Sequence, residues 1–286
     1  MAFKVIVLLV LSLSLLPLLL LYDFYRGLAY VTMGLAFSAV SLVVYYKRLE
    51  FLAAESIHSS LLAVTAGYIF EHYIGGSLYY YAVPVGLLLV YTTMALVKRG
   101  LQQEKATAVV TSLTLTLTVI LVHYAITRLP FKYSLSSLVL GDPLLVSSTE
   151  AVLATLLSAV VVIVVLVSFR RILEVSIDDV SAQLAGLNTE FYNILSYTIV
   201  GIASIIFLKF AGYIAEHVML LLPASVAALY SNSAREHVWL SLALGFFSAT
   251  LGFTLAIQLG GVPAGFTGLA LILPILLKYT WRGAVT

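Results

Sequence analysis

"AVLATLLSAVVVIVVLVSFRRILEVSIDDVSAQLAGLNTEFYNIL", Ala151 to Leu195, runs from Ala151 to Phe169 without a charge, turns basic at Arg170 and Arg171, stays polar to Glu190 and becomes apolar again at Tyr192. A helix over the first part spans roughly 28 Å, close to the ~30 Å hydrocarbon core of a bilayer. Unbroken Leu, Val and Ile with no polar alternation fits a helix, whose backbone groups are satisfied within the segment, and not a strand of an outer-membrane barrel. The stretch therefore reads as a membrane span, a short polar segment held at the surface, and the start of the next span.

The same pattern extends in both directions. The chain has 286 residues, 62% hydrophobic and only 10% charged, with a mean hydropathy of +1.09, more apolar than a soluble core requires. Ten spans are expected: Val5 to Tyr22, Leu28 to Tyr46, Leu52 to Phe70, Ser77 to Val97, Ala106 to Ile126, Ala151 to Phe169, Tyr192 to Leu208, Gly212 to Leu229, Val238 to Ile257 and Val262 to Tyr279. The fold class is all-α, a polytopic transmembrane bundle of about 8–10 spans with a short cytoplasmic helix, forming one membrane domain over residues 1–286. The first apolar run, after Lys4, is too long for a signal-peptide core and no small-x-small cleavage site follows it, so it reads as a retained span.

Basic residues fix the threading. With both termini cytoplasmic, Lys4, Lys47, Arg48, Lys98, Arg99, Lys105, Arg170, Arg171, Arg235, Lys278 and Arg282 lie inside, against Arg26, Arg128, Lys132 and Lys209 outside. That bias obeys the positive-inside rule, and losing one span would invert everything after it. Two short spans forming a re-entrant hairpin would preserve the parity.

In this threading the polar segment is the longest cytoplasmic one. Ser176 and Asp179 have capping-box spacing, Val180 and Leu184 share a helical face, Gly186 suits a C-terminal cap, and Asn188 or Thr189 suits the cap of the next span. A helix resting on lipid carries Lys and Arg on its polar face, whereas Asp178, Asp179 and Glu190 dominate here, which favours a protein partner over membrane lipid. The outer loop around "LGDP" reads as an ordered turn and a partly buried segment.

Cysteine is absent, which excludes disulfides and thiolate ligands. No Walker A loop, zincin motif or nucleophile elbow occurs, so the chain reads as no enzyme, with no cofactor of its own; nothing supports nucleic-acid binding. Ionisable residues within spans carry the chemistry, because each costs on the order of 2.5–3.5 kcal/mol at a helix centre on insertion scales. Glu55 and His58, three residues apart, share a face and have the spacing to share a divalent cation; a Glu-His hydrogen bond tying two helices together is the alternative. Glu216 and His217 point about 100° apart, and Pro223 allows a kink nearby. His123 reads as structural, Glu71 and His72 as solvated loop residues, and His237 as cytoplasmic and uninformative.

Several stretches resemble the membrane permeases of the ATP-binding-cassette metal-uptake family, which carry zinc, manganese or iron. "IHSSLLAVTAGY" is similar to the family's Ser-His-Ala-x-Leu-Pro-Gly-x-Ala-x-Gly, "SAQLAGLNTEFYNIL" to its Ala-x-x-x-Gly-Leu, and "LGGVPAGFTGLAL" to its Pro-Ser-Gly, with "LLLPASVAAL" in the expected order between them. The resemblance covers about residues 30–280. It implies a dimer of permeases, identical or not, a cytoplasmic ATP-binding subunit, an extracytoplasmic metal-binding protein, and a divalent metal ion as transported substrate. It also implies that Val180, Leu184, Gly186 and Leu187 belong to the ATPase-coupling helix and that His58 is the motif histidine. Glu55 rests on spacing, and Glu216 and His217 on burial. The chain departs from the family at Ala54, where Asp is usual, at Leu62 and Ala63 in place of Pro-Gly, and at Gly261 in place of an acidic residue. These departures bear on metal identity more than on architecture; a permease for a chelated metal or vitamin, an ion-coupled carrier and a membrane scaffold are the competing readings.

Overall fold

The computed structural model describes residues 2–129, 143 and 146–283. They form α1 (Ala2–Tyr22), α2 (Phe24–Lys47), α3 (Glu50–Ile74), α4 (Leu78–Lys98), α5 (Gln103–Arg128), α6 (Ser148–Ile177), α7 (Asp179–Leu184), α8 (Thr189–Tyr230), α9 (Ala234–Leu259) and α10 (Pro263–Gly283), and no strand. Every expected span falls on a helix to within a residue. By length and composition seven segments among the described residues suffice to cross a membrane: α2, α4, α5, α6, α9 and the two parts of α8, Thr189–Leu208 and Phe210–Tyr230. Glu55, His58 and the acidic and His residues near its ends keep α3 out of that set. The outer loop around "LGDP" lies largely outside the described residues.

Side-chain caps begin many of the helices. Asp23 accepts the Arg26 N–H at the start of α2, Asn188 the Phe191 N–H at α8, and Ser233 the Glu236 N–H at α9. At α6 Ser147 and Glu150 form a reciprocal capping box, which satisfies two donors that the helix itself leaves free.

The long helix α8 is two helices. Gly212 sits at φ 74° and ψ 160°, outside helical space, in a region that a residue without Cβ reaches at little cost. Were α8 straight, Asn193 and Ala224 would stand roughly 46 Å apart. Instead Lys47, the last residue of α2, donates to the Asn193 side-chain oxygen at 2.5 Å, while Ser41, less than two turns earlier, accepts the Ala224 N–H at 3.0 Å. The chain therefore reverses at Gly212, and the break lies there, not at Pro223, which is buried within the second arm. The Ser41 hydroxyl next to that proline takes up the Ala224 N–H.

One end of the bundle gathers the ends of nearly every helix. Gln103 donates to the Arg48 carbonyl, Lys98 pairs with Glu190 at 2.6 Å, Lys4 donates to the Tyr230 carbonyl and Lys278 to the Leu229 carbonyl, and Phe169 packs on Tyr46. At the opposite end Arg26 pairs with Asp23 and donates to Val146, and Tyr73 meets Tyr124. The spans thus alternate in direction along the whole chain. α2 lies at the centre, 83% of its most apolar window buried, and α5 and α6 at the rim, each 22% buried.

Close approach at the centre depends on small residues. A Cβ on Gly245 would stand 2.7 Å from the Gly34 carbonyl oxygen and 1.5 Å from the Ser38 hydroxyl, and one on Gly252 2.6 Å from the Thr267 nitrogen. Between helices in lipid, where apolar burial drives little, such backbone-to-backbone packing carries the association.

Candidate functional site

α3 carries a polar stripe through an apolar helix. Ser59 donates to Glu55 one turn earlier, Ser56 donates to the Ala53 carbonyl and shares a hydrogen bond with Ser204 of α8 at 2.8 Å, and Ser60 donates to the Ile57 carbonyl. Glu55, Ser56, Ser59 and Ser60 are all buried and His58 is half-buried. Glu55 and His58 do not bond to each other. Glu55 turns to Ser59, leaving its second oxygen buried without a partner, and His58 turns to α8.

There it meets Tyr213, the residue after the Gly212 break. The Tyr213 hydroxyl lies 3.2 Å from His58 Nδ1 and 3.4 Å from Nε2, and the two rings are 5.5 Å apart. One turn on, the His217 ring lies 6.1 Å from the Tyr213 ring, and close enough to His58 for an electrostatic interaction. Glu216 is fully buried, with the Ser204 hydroxyl near its carboxylate, and His217 Nδ1 is buried without a hydrogen-bond partner. The second arm of α8 therefore enters the bundle facing α3.

His58, Glu216 and His217 thus gather around Tyr213, with Glu55 one turn away along α3. Among the described residues, no three His, Asp or Glu side chains stand close enough together to hold a metal ion. Tyr213 and Ser204 escaped the sequence reading, whereas the reversal falls where it was expected, between the span that ends at Leu208 and the one that starts at Gly212.

At the end of the bundle, α7 follows α6 after a single residue. Asp178, not Ser176, is the N-cap: its carboxylate accepts from the Val180 and Ser181 N–H groups and from the Ser181 hydroxyl. Those hydrogen bonds, the Ser181 hydroxyl first and then its backbone N–H, hold the Asp178 carboxyl below the usual carboxylate range. Ser176 remains in the last turn of α6, bonded to the Ile172 carbonyl. Gly186 adopts φ 84°, and the Leu187 N–H returns to the Ala182 carbonyl at 3.0 Å, the six-to-one closure of a glycine-terminated helix. Val180 and Leu184 are 66% and 84% exposed, with Ile177 beside them at 77%, while Leu187 is half-buried.

Two further expectations need correction. Glu71 and His72 lie in the last helical turn of α3, not in a loop. His237 is buried inside the bundle, where Nε2 donates to the Ala224 carbonyl at 2.7 Å and Nδ1 accepts from the Tyr46 hydroxyl at 2.8 Å. Its reading as an uninformative residue failed because the helix begins at Ala234, a turn earlier than the apolar run suggests, and carries His237 into the bundle.

Comparison with known proteins agrees with this architecture. The model of the ABC 3 transport family matches residues 24–280. The chain is 24% identical over 223 residues to the manganese import system permease protein ScaB of Streptococcus gordonii, covering 78% of this chain and 77% of that one. It is 21% identical to the high-affinity zinc uptake system membrane protein ZnuB of Buchnera aphidicola, covering 80% and 86%. Its fold is similar to that in the structure of PsaBC from Streptococcus pneumoniae in complex with Fab, with a TM-score of 0.77, 20% identity, and 91% and 93% of the chains covered.

Proposed function

The chain belongs to the ABC 3 transport family, and from that premise we propose that it is the translocation subunit of an importer carrying a divalent metal ion of the manganese or zinc class. The reading is supported by relatives named as manganese and zinc permeases and by the cluster around Tyr213. The observation that carries it is Glu216, a carboxylate with no exposure in the middle of an apolar bundle, approached by the Ser204 hydroxyl and paired with no Lys or Arg among the described residues. Such a group is costly in a membrane and is retained where a cation comes to it.

Glu55, His58, Glu216 and His217 line the path in this reading. Neutral imidazole and carboxylate suit a borderline divalent cation, and two or three ligands completed by water hold it weakly enough to release, unlike a closed structural site of four. The end of the bundle that carries α7 faces the cytoplasm, and both termini lie there. α7 docks on a separate ATP-binding subunit through Val180, Leu184 and Leu187, a second permease completes the assembly, and a metal-binding protein delivers the ion from outside. ATP-driven closure moves α7, and α8, which starts four residues beyond Ala185, transmits the motion to the cluster, alternating its access between the two sides.

His58→Ala tests the path. In a complex that still assembles with its ATPase subunit, this substitution should abolish uptake of manganese and zinc while leaving membrane insertion and thermal stability close to those of the parent, because among the described residues the hydrogen bond it removes is the one to Tyr213. Full uptake in both His58→Ala and Glu55→Ala would remove these residues from the path.

A further inference from the structure

We propose that Ser204 is a positioning residue of the cation path: its hydroxyl holds one oxygen of the Glu216 carboxylate, leaves the other for the ion, and ties that carboxylate to α3 through Ser56. The inference rests on the transport reading above and deepens it. Its first support is placement. Ser204 lies in the first arm of α8 and Glu216 in the second, and the reversal at Gly212 brings the Ser204 hydroxyl near the Glu216 carboxylate. Both side chains are fully buried. Ser196 and Thr198, earlier in the same arm, turn their hydroxyls back to the carbonyls of Tyr192 and Ile194, the local bond that hydroxyls in membrane helices commonly make. The Ser204 hydroxyl reaches across to α3, where it meets the Ser56 hydroxyl at 2.8 Å.

The second support is a count of protons. Each hydroxyl has one to give. Ser56 can give its proton to the Ala53 carbonyl, at 2.8 Å, or to Ser204. Inside α3 that carbonyl already accepts the helical N–H four residues on, so a Ser56 that turns away from it strands nothing. Donation from Ser56 to Ser204 frees the Ser204 proton for Glu216. The chain of bonds then ends on the group that carries the charge, and hydrogen bonds to an ionised acceptor are the stronger ones.

The third support is what Glu216 has around it. Among the described residues no Lys or Arg pairs with it, and Ser204 is the hydrogen-bonding side chain that approaches it. Carboxylates that bind metal are themselves oriented by hydrogen bonds, and losing such a partner typically costs about 10–100-fold in affinity. Ser56 is next to Glu55 in sequence and two residues before His58. The bond that aims Glu216 therefore also fixes α8 against the helix that carries the other half of the path.

The experiment titrates Mn²⁺ into the purified complex with its ATPase subunit, reads the free ion by electron paramagnetic resonance, and records the melting temperature of the same sample. Ser204→Ala should raise the Kd about tenfold or more. Its melting temperature should stay near the parent's, because hydrogen bonds between membrane helices add modestly to stability. Ser56→Ala, one bond further from the carboxylate, should raise the Kd less, and Ser204→Thr, which keeps the hydroxyl, should bind as the parent does. Parental affinity in Ser204→Ala overturns the proposal. So does a Ser204→Thr complex as weak as Ser204→Ala, which traces the loss to packing. If Ser204→Ala fails to assemble or melts early, Ser204→Cys decides, being close to serine in size and only a weak donor: a raised Kd at the parental melting temperature supports the role, and a parental Kd overturns it. The two readings fail separately, since parental affinity in Glu216→Gln removes Glu216 from the path, whereas a weak Glu216→Gln beside a parental Ser204→Ala sinks only the role of Ser204.

Discussion

His237 donates to the Ala224 carbonyl through Nε2 and accepts from the Tyr46 hydroxyl through Nδ1, which fixes it as the neutral tautomer with the proton on Nε2. It ties α9 to the second arm of α8 and to the end of α2, and the rings of Tyr45 and Tyr46 pack against it, with Phe169 edge-on to Tyr46. Replacing it by Phe would fill the volume and strand the Tyr46 hydroxyl and part of the Ala224 carbonyl's bonding. The expected cost is about 1–3 kcal/mol, read as a lower melting temperature of the purified complex with metal selectivity unchanged. A changed selectivity at parental stability would instead put His237 in the path. The residue scale is also where sequence reasoning was weakest. Glu55 and His58 have the spacing of a pair, yet each turns to a different helix face and partner, because a 100° step per residue separates neighbours that spacing alone treats as equivalent.

Among the elements, α7 is the shortest and the most exposed in its apolar content. A free helix of six residues is far below the length that holds itself together in water, so its form comes from its ends: the Asp178 cap at the start and the Gly186 closure at the other. Gly186→Val places a β-branched residue at φ 84°, a conformation costing roughly 1–2 kcal/mol for residues with a Cβ, and should distort the turn into α8. Leu184→Asp leaves the turn intact and puts a charge where an apolar contact is expected. Both should reduce co-purification of the ATPase subunit and metal-stimulated ATP hydrolysis. Intact coupling in both would mean that α7 rests on lipid. These caps were legible in the sequence to within two residues, because a cap is a local event between a side chain and the N–H groups two or three positions on.

On the scale of the whole molecule, the contacts bring Lys4, Lys47, Lys98 and Lys278 to the same end as α7, the end that the basic bias assigns to the cytoplasm. Reporter fusions after Arg171 and after Arg235 should therefore read cytoplasmic, and one after Lys132 external. An external signal from the Arg171 fusion would overturn the orientation, though not the alternation of the helices. The reversal at Gly212 is what preserves this alternation: a straight α8 would carry Tyr230 away from Lys4 and Lys278 and place α9 and α10 upside down.

The sequence by itself determined that the chain is a helical membrane bundle, where its helices run, that they alternate, and where α7 and its caps stand. Each of these follows from free energies summed within a segment: transfer of an apolar run into lipid, placement of Lys and Arg at its ends, and capping of exposed N–H groups. Only the tertiary structure decided that the Tyr213 hydroxyl meets His58, that Glu216 is fully buried, and that His237 locks α2 to α8 and α9. Those outcomes depend on how far each helix is rotated and how deep it sits. Rotation and depth are set by close contacts between distant residues, such as Gly34 with Gly245 and Gly252 with Thr267, and no single segment contains the information that fixes them.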